Sequence, residues 1–243
     1  MFILLTLFSG CAELMNVLQS PAGVPLTEDE VISGLKEALS LGAKTSAEKL
    51  SRENGYYGDA AVKILLPDEA KTIMDNISRI PGGEQLMEDV ILRINRAAED
   101  AAKEVAPIFV NSITQMTVRD AFSILQGADN AATSYLRATT YDDLYSLYRP
   151  KIEISTEKDI IANISARDSW DALTGKWNTV ANSVAGKIAG LKPVSTNLDD
   201  YLTTRALHGM FSKLETEELK IRKEVSSRVT PLLKRVFGSL DDR

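Results

Sequence analysis

The chain has 243 residues and a formal net charge of −6, with 26% charged side chains and a pI near 5. No arm or extended face of the sequence is basic, so we expect no nucleic-acid partner, because non-specific binding to nucleic acid requires clustered Lys and Arg. The length suffices for one good core or two small ones, and the single cysteine excludes an intramolecular disulfide.

The first eight residues, MFILLTLF, form an apolar run about as long as a signal-peptide core and far shorter than the roughly 20 residues that span a bilayer. Ser9, Gly10 and Cys11 follow. This order resembles the signal and lipobox of bacterial lipoproteins, which implies that residues 1–11 are the signal and that Cys11 carries the lipid. Two alternatives are a cleaved signal that ends at Gly10-Cys11-Ala12 and a buried N-terminal helix.

Residues 12–25 contain turn signals and little periodicity, and we interpret them as a tether between the anchor and the body of the protein. No later segment is apolar enough to cross a membrane, and no linker or repeat divides the remainder. We therefore expect residues 26–243 to form a single helical domain.

The first helix is predicted to begin at LTEDEV, where Thr27 and Glu30 have the spacing of a capping box and Leu26 can pack against Val31. Apolar residues then recur on one stripe until Gly55. Beyond it, residues 62–66 are predicted to form at most a minor extended segment. Pro67 opens the next helix, and the IPGG sequence at 80–83 ends it.

The longest periodic segment runs from Glu84 to Met116, with apolar residues on one face through about nine turns. Pro107 is expected to kink this central helix or to split it in two. Shorter helices are expected afterwards, with capping signals at Thr117, Asp129, Thr140 and Asn197. The predicted fold is an all-α, single irregular multi-helix bundle with one long, Pro-kinked central helix.

The last forty residues alternate basic and acidic side chains, the pattern of a solvated helix face with i,i+4 pairs. Attraction to anionic lipid headgroups is the second interpretation. The basic residues are Lys220, Arg222, Lys223, Arg228, Lys234 and Arg235, and the acidic ones are Glu215, Glu217, Glu218 and Glu224.

Signatures of catalysis are missing from the sequence. The LGAKTS stretch at 41–46 lacks the spacing of a phosphate-binding loop, and His208, the only histidine, has no HExxH motif, second histidine or G-x-S-x-G elbow beside it. We therefore expect neither a metal nor a cofactor, and more readily a binding protein than an enzyme.

One polar cluster stands out on the predicted central helix. Asn95 and Glu99 lie four residues apart at the edge of the apolar stripe. A partly buried Glu99 would need a partner, which Arg96, Arg119 or Arg137 could supply. The cluster is either a buried network that fixes helix register or a polar site that lines a groove between helices.

Seven segments in fixed order resemble a bacterial family known as domain of unknown function 4197. They are GLKEAL at 34–39, VKILLP at 62–67, NRAAE at 95–99, MTVRDAFSILQG at 116–127, AATSYLRATT at 131–140, LDDYLTTRALHGMF at 198–211 and the closing IRKEVSSRVTPLLKRVFG. The resemblance implies an exported or lipid-anchored helical protein of the Gram-negative envelope and no particular activity. The family pattern singles out Asn95, Arg96, Glu99, Asp120 and Thr133, and His208 departs from it.

The leading prediction is an envelope lipoprotein, periplasmic and lipid-anchored to the outer or inner membrane, that acts by binding an envelope protein partner or a small apolar ligand. The alternative is an enzyme of unrecognised type with a carboxylate, Asn and Arg site around Glu99. The candidate site or structural network comprises Asn95, Arg96, Glu99, Arg119, Asp120 and Thr133, with Cys11 as the lipid attachment residue.

Overall fold

The structure is a computed structural model that describes residues 25–79 and 82–241. Within these ranges the secondary structure is helical and contains no β-strand, which confirms the predicted all-α bundle. Cys11, the predicted signal and nearly all of the predicted tether lie outside the described residues.

Ten α-helices follow one another along the described residues. They are α1 (Glu28–Leu50), α2 (Lys71–Met74), α3 (Gly83–Ala101), α4 (Val105–Gln115), α5 (Ala121–Leu125), α6 (Ala131–Glu157), α7 (Ala166–Asn182), α8 (Val184–Ile188), α9 (Leu198–Lys223) and α10 (Pro231–Gly238). Short 3-10 helices at Asp68–Ala70, Ile77–Arg79, Ala102–Glu104 and Val225–Ser227 join some of them.

Helix α1 begins at the predicted capping box. The Glu30 N–H donates to Thr27 Oγ1, and the Thr27 N–H donates to Glu30 Oε2 at 2.9 Å. Two glycines on its buried face admit neighbouring helices, since an added Cβ would lie 2.7 Å from Val236 at Gly34 and 2.7 Å from Leu214 at Gly42. Helix α1 therefore packs closely against α9 and α10.

The predicted central helix is split in two. Helix α3 ends at Ala101, the turn Ala102–Glu104 is a 3-10 helix, and α4 resumes at Val105. Pro107 lies in the first turn of α4, where its missing N–H costs nothing, but its ring would clash with the carbonyl of Lys103 in a continuous α-helix. The break one turn before the proline is the expected consequence.

Helices α6 and α9 are longer than predicted and pack extensively against each other. The predicted helix start at Thr140 is wrong, because Thr140 lies inside α6 and its hydroxyl donates to the Leu136 carbonyl. The predicted start at Asn197 is confirmed, since its side chain accepts the N–H of Asp200.

The core runs continuously between these helices, and Phe109 of α4 meets Phe211 of α9 with ring centroids 5.3 Å apart. None of the described helices combines the length and the apolar character needed to cross a bilayer.

Candidate functional site

Asn95 joins α3 to the connection that follows α1. Its Oδ1 accepts the N–H of Ile64 at 2.9 Å, and its Nδ2 donates to the Ile64 carbonyl at 2.7 Å and to the Ile91 carbonyl at 2.7 Å. The side-chain amide thus satisfies both backbone groups of a buried residue, as a neighbouring strand would. Val62 and Lys63 donate their N–H groups to the Asp59 carbonyl in a turn, and residues 63–66 have no regular secondary structure.

Glu99, one turn further along α3, holds the turn that follows α1. One carboxylate oxygen accepts the N–H groups of Tyr56 at 3.1 Å and Tyr57 at 3.0 Å. The other accepts Arg96 Nη1 at 2.6 Å. Arg96 also donates to Asn54 Oδ1 at 3.0 Å, so the two side chains fix the turn together.

Of the three arginines predicted as partners of Glu99, Arg96 is the one that binds it. Arg137 instead lies over the Phe211 ring, with its guanidinium carbon 4.6 Å from the ring centroid, and pairs with Glu215 at 3.5 Å. Glu99 is buried, and both of its oxygens have donors. This geometry favours the interpretation of a structural network over that of a site open to substrate.

Tyr56 is buried beside Glu99, and its hydroxyl stays protonated and acts as a hydrogen-bond donor. Burial, and secondarily the negative charge of Glu99, raises the pKa of Tyr56 well above its ordinary value. Its hydroxyl donates to the Ala206 carbonyl at 2.9 Å, across to α9. Gly209 leaves room for the ring, because an added Cβ would lie 2.6 Å from Tyr56 Cε1.

Thr133 belongs to a second buried network at the start of α6. Glu218 of α9 accepts the N–H groups of Ala132 at 3.0 Å and Thr133 at 2.7 Å, and the Thr133 hydroxyl at 2.6 Å. Its carboxylate therefore caps α6 from a different helix, where the free N–H groups and the helix dipole favour a negative charge.

Arg222 completes this network. Its Nε donates to Glu218 at 2.8 Å, and its Nη atoms donate to the carbonyls of Ile124 and Leu125 at the end of α5. Both side chains are buried, so the prediction of a solvated face is wrong for this pair. Their i,i+4 spacing predicts that Glu218 and Arg222 pair on one helix, but the same spacing is found in exposed pairs and does not predict burial.

Arg119 and Asp120 lie apart from both networks, in the exposed connection between α4 and α5. Asp120 has a left-handed backbone with φ of 54° and precedes α5 without a side-chain capping bond. Arg119 lines an open groove. The six predicted residues thus fall into three separate places in the structure.

The groove lies between α4, α6 and the connection that carries Arg119, and its volume is about 750 Å³. Most of its lining side chains carry polar groups, but the surface that they present to the groove is more apolar than polar. The Tyr135 hydroxyl donates to the Thr117 carbonyl at 2.8 Å. Arg119 and Asp143 provide opposite charges. The other lining residues are Asn111, Ser112, Gln115, Met116, Thr139, Thr140, Ser146 and Leu147.

His208 is exposed on α9. Across residues 25–79 and 82–241, no cluster of three or more His, Cys, Asp or Glu side chains is arranged to hold a metal ion.

Comparison with known proteins identifies the family but no characterised relative. No curated protein and no solved structure matches the chain. The sequence model of the family described as "Protein of unknown function (DUF4197)" matches residues 25–238, which covers α1 to α10. That match confirms the resemblance carried by the seven segments, and the chain belongs to this family.

Proposed function

We propose that the protein is an exported lipoprotein of the Gram-negative envelope, anchored through Cys11, and that it acts by binding a protein partner. The anchor is supported by the apolar run and the small residues before Cys11. A tether of 14 residues, 12–25, would then join the lipid to the helical body. Residues 25–238, matched by the family, would form the part that binds.

The groove between α4 and α6 is the observation that carries the binding role. A volume of about 750 Å³ lies within the usual range for ligand sites. Arg119, Asp143 and the amides of Asn111 and Gln115 offer charges, donors and acceptors on its walls. A polypeptide segment presents an N–H and a C=O at nearly every residue, so it can pair with such walls.

The polar groups in this lining weigh against a wholly apolar small ligand, the other predicted binding partner. An apolar molecule in this groove would cover amide, hydroxyl and charged groups without replacing their hydrogen bonds to water, at a cost of about 1–3 kcal/mol for each group. Leu147, which is half exposed on the rim, supplies an apolar contact suited to one side chain of a partner. Because the lining combines apolar surface with charges, donors and acceptors, a protein segment, which carries both kinds of group, fits better than a lipid or hydrocarbon.

We do not propose the enzyme alternative, because no specific observation supports it. The carboxylate on which it depends, Glu99, is buried and bonded through both oxygens to Tyr56, Tyr57 and Arg96. A general acid or base must reach a proton of the substrate.

The binding role is tested by photocrosslinking in intact cells. A photoreactive residue replaces Ser146 in the groove or, as a matched control, Lys176 on the exposed face of α7. We expect one protein to crosslink from position 146 and not from 176, and the R119E and D143K changes to abolish that crosslink while the fold is kept. The partner protein identified by this crosslink, once purified, should then bind the wild-type chain directly. Equal crosslinking from both positions would refute the groove as the binding surface.

The anchor is tested separately by mass spectrometry of the protein isolated from membranes. We expect the mature chain to begin at Cys11 and to carry the added mass of lipid, and the Cys11→Ser variant to lack both. A mature chain that begins elsewhere, or an unmodified Cys11, would refute the anchor.

A further inference from the structure

We propose that the corner between α9 and α10 rests on the phospholipid surface and sets the orientation of the protein on its membrane. The corner comprises the 3-10 turn Val225–Ser227 and the connection that leads into Pro231. This inference rests on the anchor part of the proposed function and adds a second, non-covalent membrane contact.

The usual distribution of polar and apolar side chains is inverted at this corner. Val225 and Val229 are 62% and 64% exposed, whereas Arg228 between them is only 1% exposed. Arg228 Nε donates to the Ile221 carbonyl at 2.9 Å and Nη2 to the Arg222 carbonyl at 2.9 Å, while both Nη atoms bind the Asp241 carboxylate. The buried guanidinium fixes the backbone of the turn, so the fold holds both valines outward.

Exposed basic residues flank the two valines. Lys223, which pairs with Asp129 at 3.0 Å, and the exposed Glu224 precede Val225, and Lys234 follows the turn on the exposed face of α10. Short apolar side chains beside lysines suit the boundary of a bilayer, where the valines enter the headgroup region and the ammonium groups meet phosphate.

Pro25, where the described residues begin, contacts α10, the helix into which this corner leads. Arg235 Nη2 donates to the Pro25 carbonyl at 3.3 Å, and Arg235 Nε bonds to Glu30 at 2.8 Å. Arg235 lies four residues after Pro231 on α10, which corresponds to about 6 Å along the helix axis. The predicted tether therefore reaches the body at α10, about one helical turn after the connection that carries Val229.

The length of the tether selects this face for the membrane. A 14-residue linker has a typical end-to-end distance of about 20 Å. A domain of roughly 215 residues has a radius of gyration near 17 Å and hence a width of about 40 Å. The side of the body that carries Pro25 is thus within ordinary reach of the bilayer, and the far side is not.

Another exposed apolar pair provides a matched control. Val184 and Ile188 are 77% and 83% exposed on α8, which packs against α7. If apolar exposure alone decided membrane contact, this pair would contact lipid more strongly than the α9–α10 corner. If the attachment point decides, only the corner contacts lipid.

The test measures quenching of single introduced tryptophans by lipid. The chain from Cys11 onward, with its thiol coupled to a maleimide phospholipid, is placed on vesicles of three parts phosphatidylethanolamine to one part phosphatidylglycerol, with or without bromine on the acyl chains. The V229W and V225W variants report on the corner, and V184W reports on α8. Native Trp170 and Trp177 are buried and give a constant background.

We expect the V229W and V225W proteins to lose emission on brominated vesicles and V184W to match the wild type. Equal emission of V229W on both kinds of vesicle, or equal loss from V184W, would overturn the proposal. Chemical coupling supplies the anchor in this experiment. A failure here is therefore distinct from the absence of lipid on Cys11 in cells, which would contradict the proposed function instead.

Discussion

The Asn95→Asp substitution tests whether Asn95 supports the fold. The change keeps the shape of the side chain but replaces the amide nitrogen with an oxygen. That nitrogen donates at 2.7 Å to the carbonyls of Ile64 and Ile91, so the new carboxylate oxygen would face two carbonyl oxygens. Asn95 is fully buried, so water cannot relieve the repulsion. We expect the variant to fold at acid pH and to be strongly destabilised at neutral pH.

The magnitude follows from the bonds that are lost. The buried Ile64 carbonyl loses its donor, at a cost of about 1–3 kcal/mol, whereas the Ile91 carbonyl keeps the backbone N–H of residue 95 within α3. The buried, unpaired carboxylate adds several kcal/mol, so we expect a total loss of about 4 kcal/mol or more at neutral pH. Burial between carbonyls raises the pKa of the new carboxyl in the folded state. The folded variant then binds its proton more tightly than the unfolded chain. The loss in free energy of unfolding, relative to wild type, is therefore smallest below about pH 4 and grows by up to about 1.4 kcal/mol per pH unit above it.

Urea denaturation followed by circular dichroism, at neutral pH and at about pH 4, measures both quantities. The Asn111→Asp variant is the matched control, because Asn111 is exposed on α4 and its oxygen already acts as an acceptor for Gln115. Its free energy of unfolding should stay within about 0.5 kcal/mol of wild type. If the deficit of N95D were equally small, or independent of pH, Asn95 would not hold the 62–66 segment as described.

Three further predictions concern other contacts. The Glu218→Ala change leaves the buried Arg222 guanidinium without its carboxylate partner and should lower the free energy of unfolding by about 3–5 kcal/mol in a denaturant titration. E218Q should cost less, and equal costs for the two variants would refute the role assigned to the Glu218 charge. The Gly209→Ala change adds a Cβ 2.6 Å from a buried tyrosine ring and should cost about 1–3 kcal/mol, whereas G175A, which meets open space in α7, should be neutral or stabilising in thermal melts. The hydrogen bond from Arg235 holds the pKa of Glu30 at about 2 instead of 4.5, so this contribution to stability is present above pH 4.5 and is lost as the pH falls towards 2. In R235Q, an NMR titration should find the pKa of Glu30 moved back towards 4.5, and an unchanged value would contradict the assigned cause.

The features that could be predicted from the sequence depend on neighbouring residues alone. The capping box of Thr27 and Glu30 and the cap at Asn197 need only a spacing of three residues, and both occur in the structure. The break before Pro107 follows from a clash with the carbonyl four residues earlier. These signals act within one helical turn, so no tertiary contact is needed to decide them.

The features that could not be predicted are those that tertiary packing decides. Thr140 carries a capping signal, yet α6 continues through it and through Pro150 because its apolar face packs along α9. Pro150 is exposed, on the outer side of the helix. Glu218 and Arg222 have the spacing of a surface pair, and only the arrival of α5 and the start of α6 buries them. A pattern along one helix does not show which other helix ends will meet it.

The buried polar residues and the groove should respond differently to substitution, and this difference separates structural from functional positions. Asn95, Glu99 and Thr133 are all buried. The Asn95 and Glu99 side chains bind backbone groups of the connection after α1, and the Thr133 hydroxyl donates to Glu218. Changes there should reduce the amount of folded protein before they change any binding. Arg119 and Asp143 are exposed and bear little on stability, so their charge reversal should leave the melting temperature nearly unchanged and abolish partner binding. A screen that measures folded protein and crosslinking together would distinguish these outcomes, and loss of binding at Glu99 with full retention of the fold would restore Glu99 as a candidate for function.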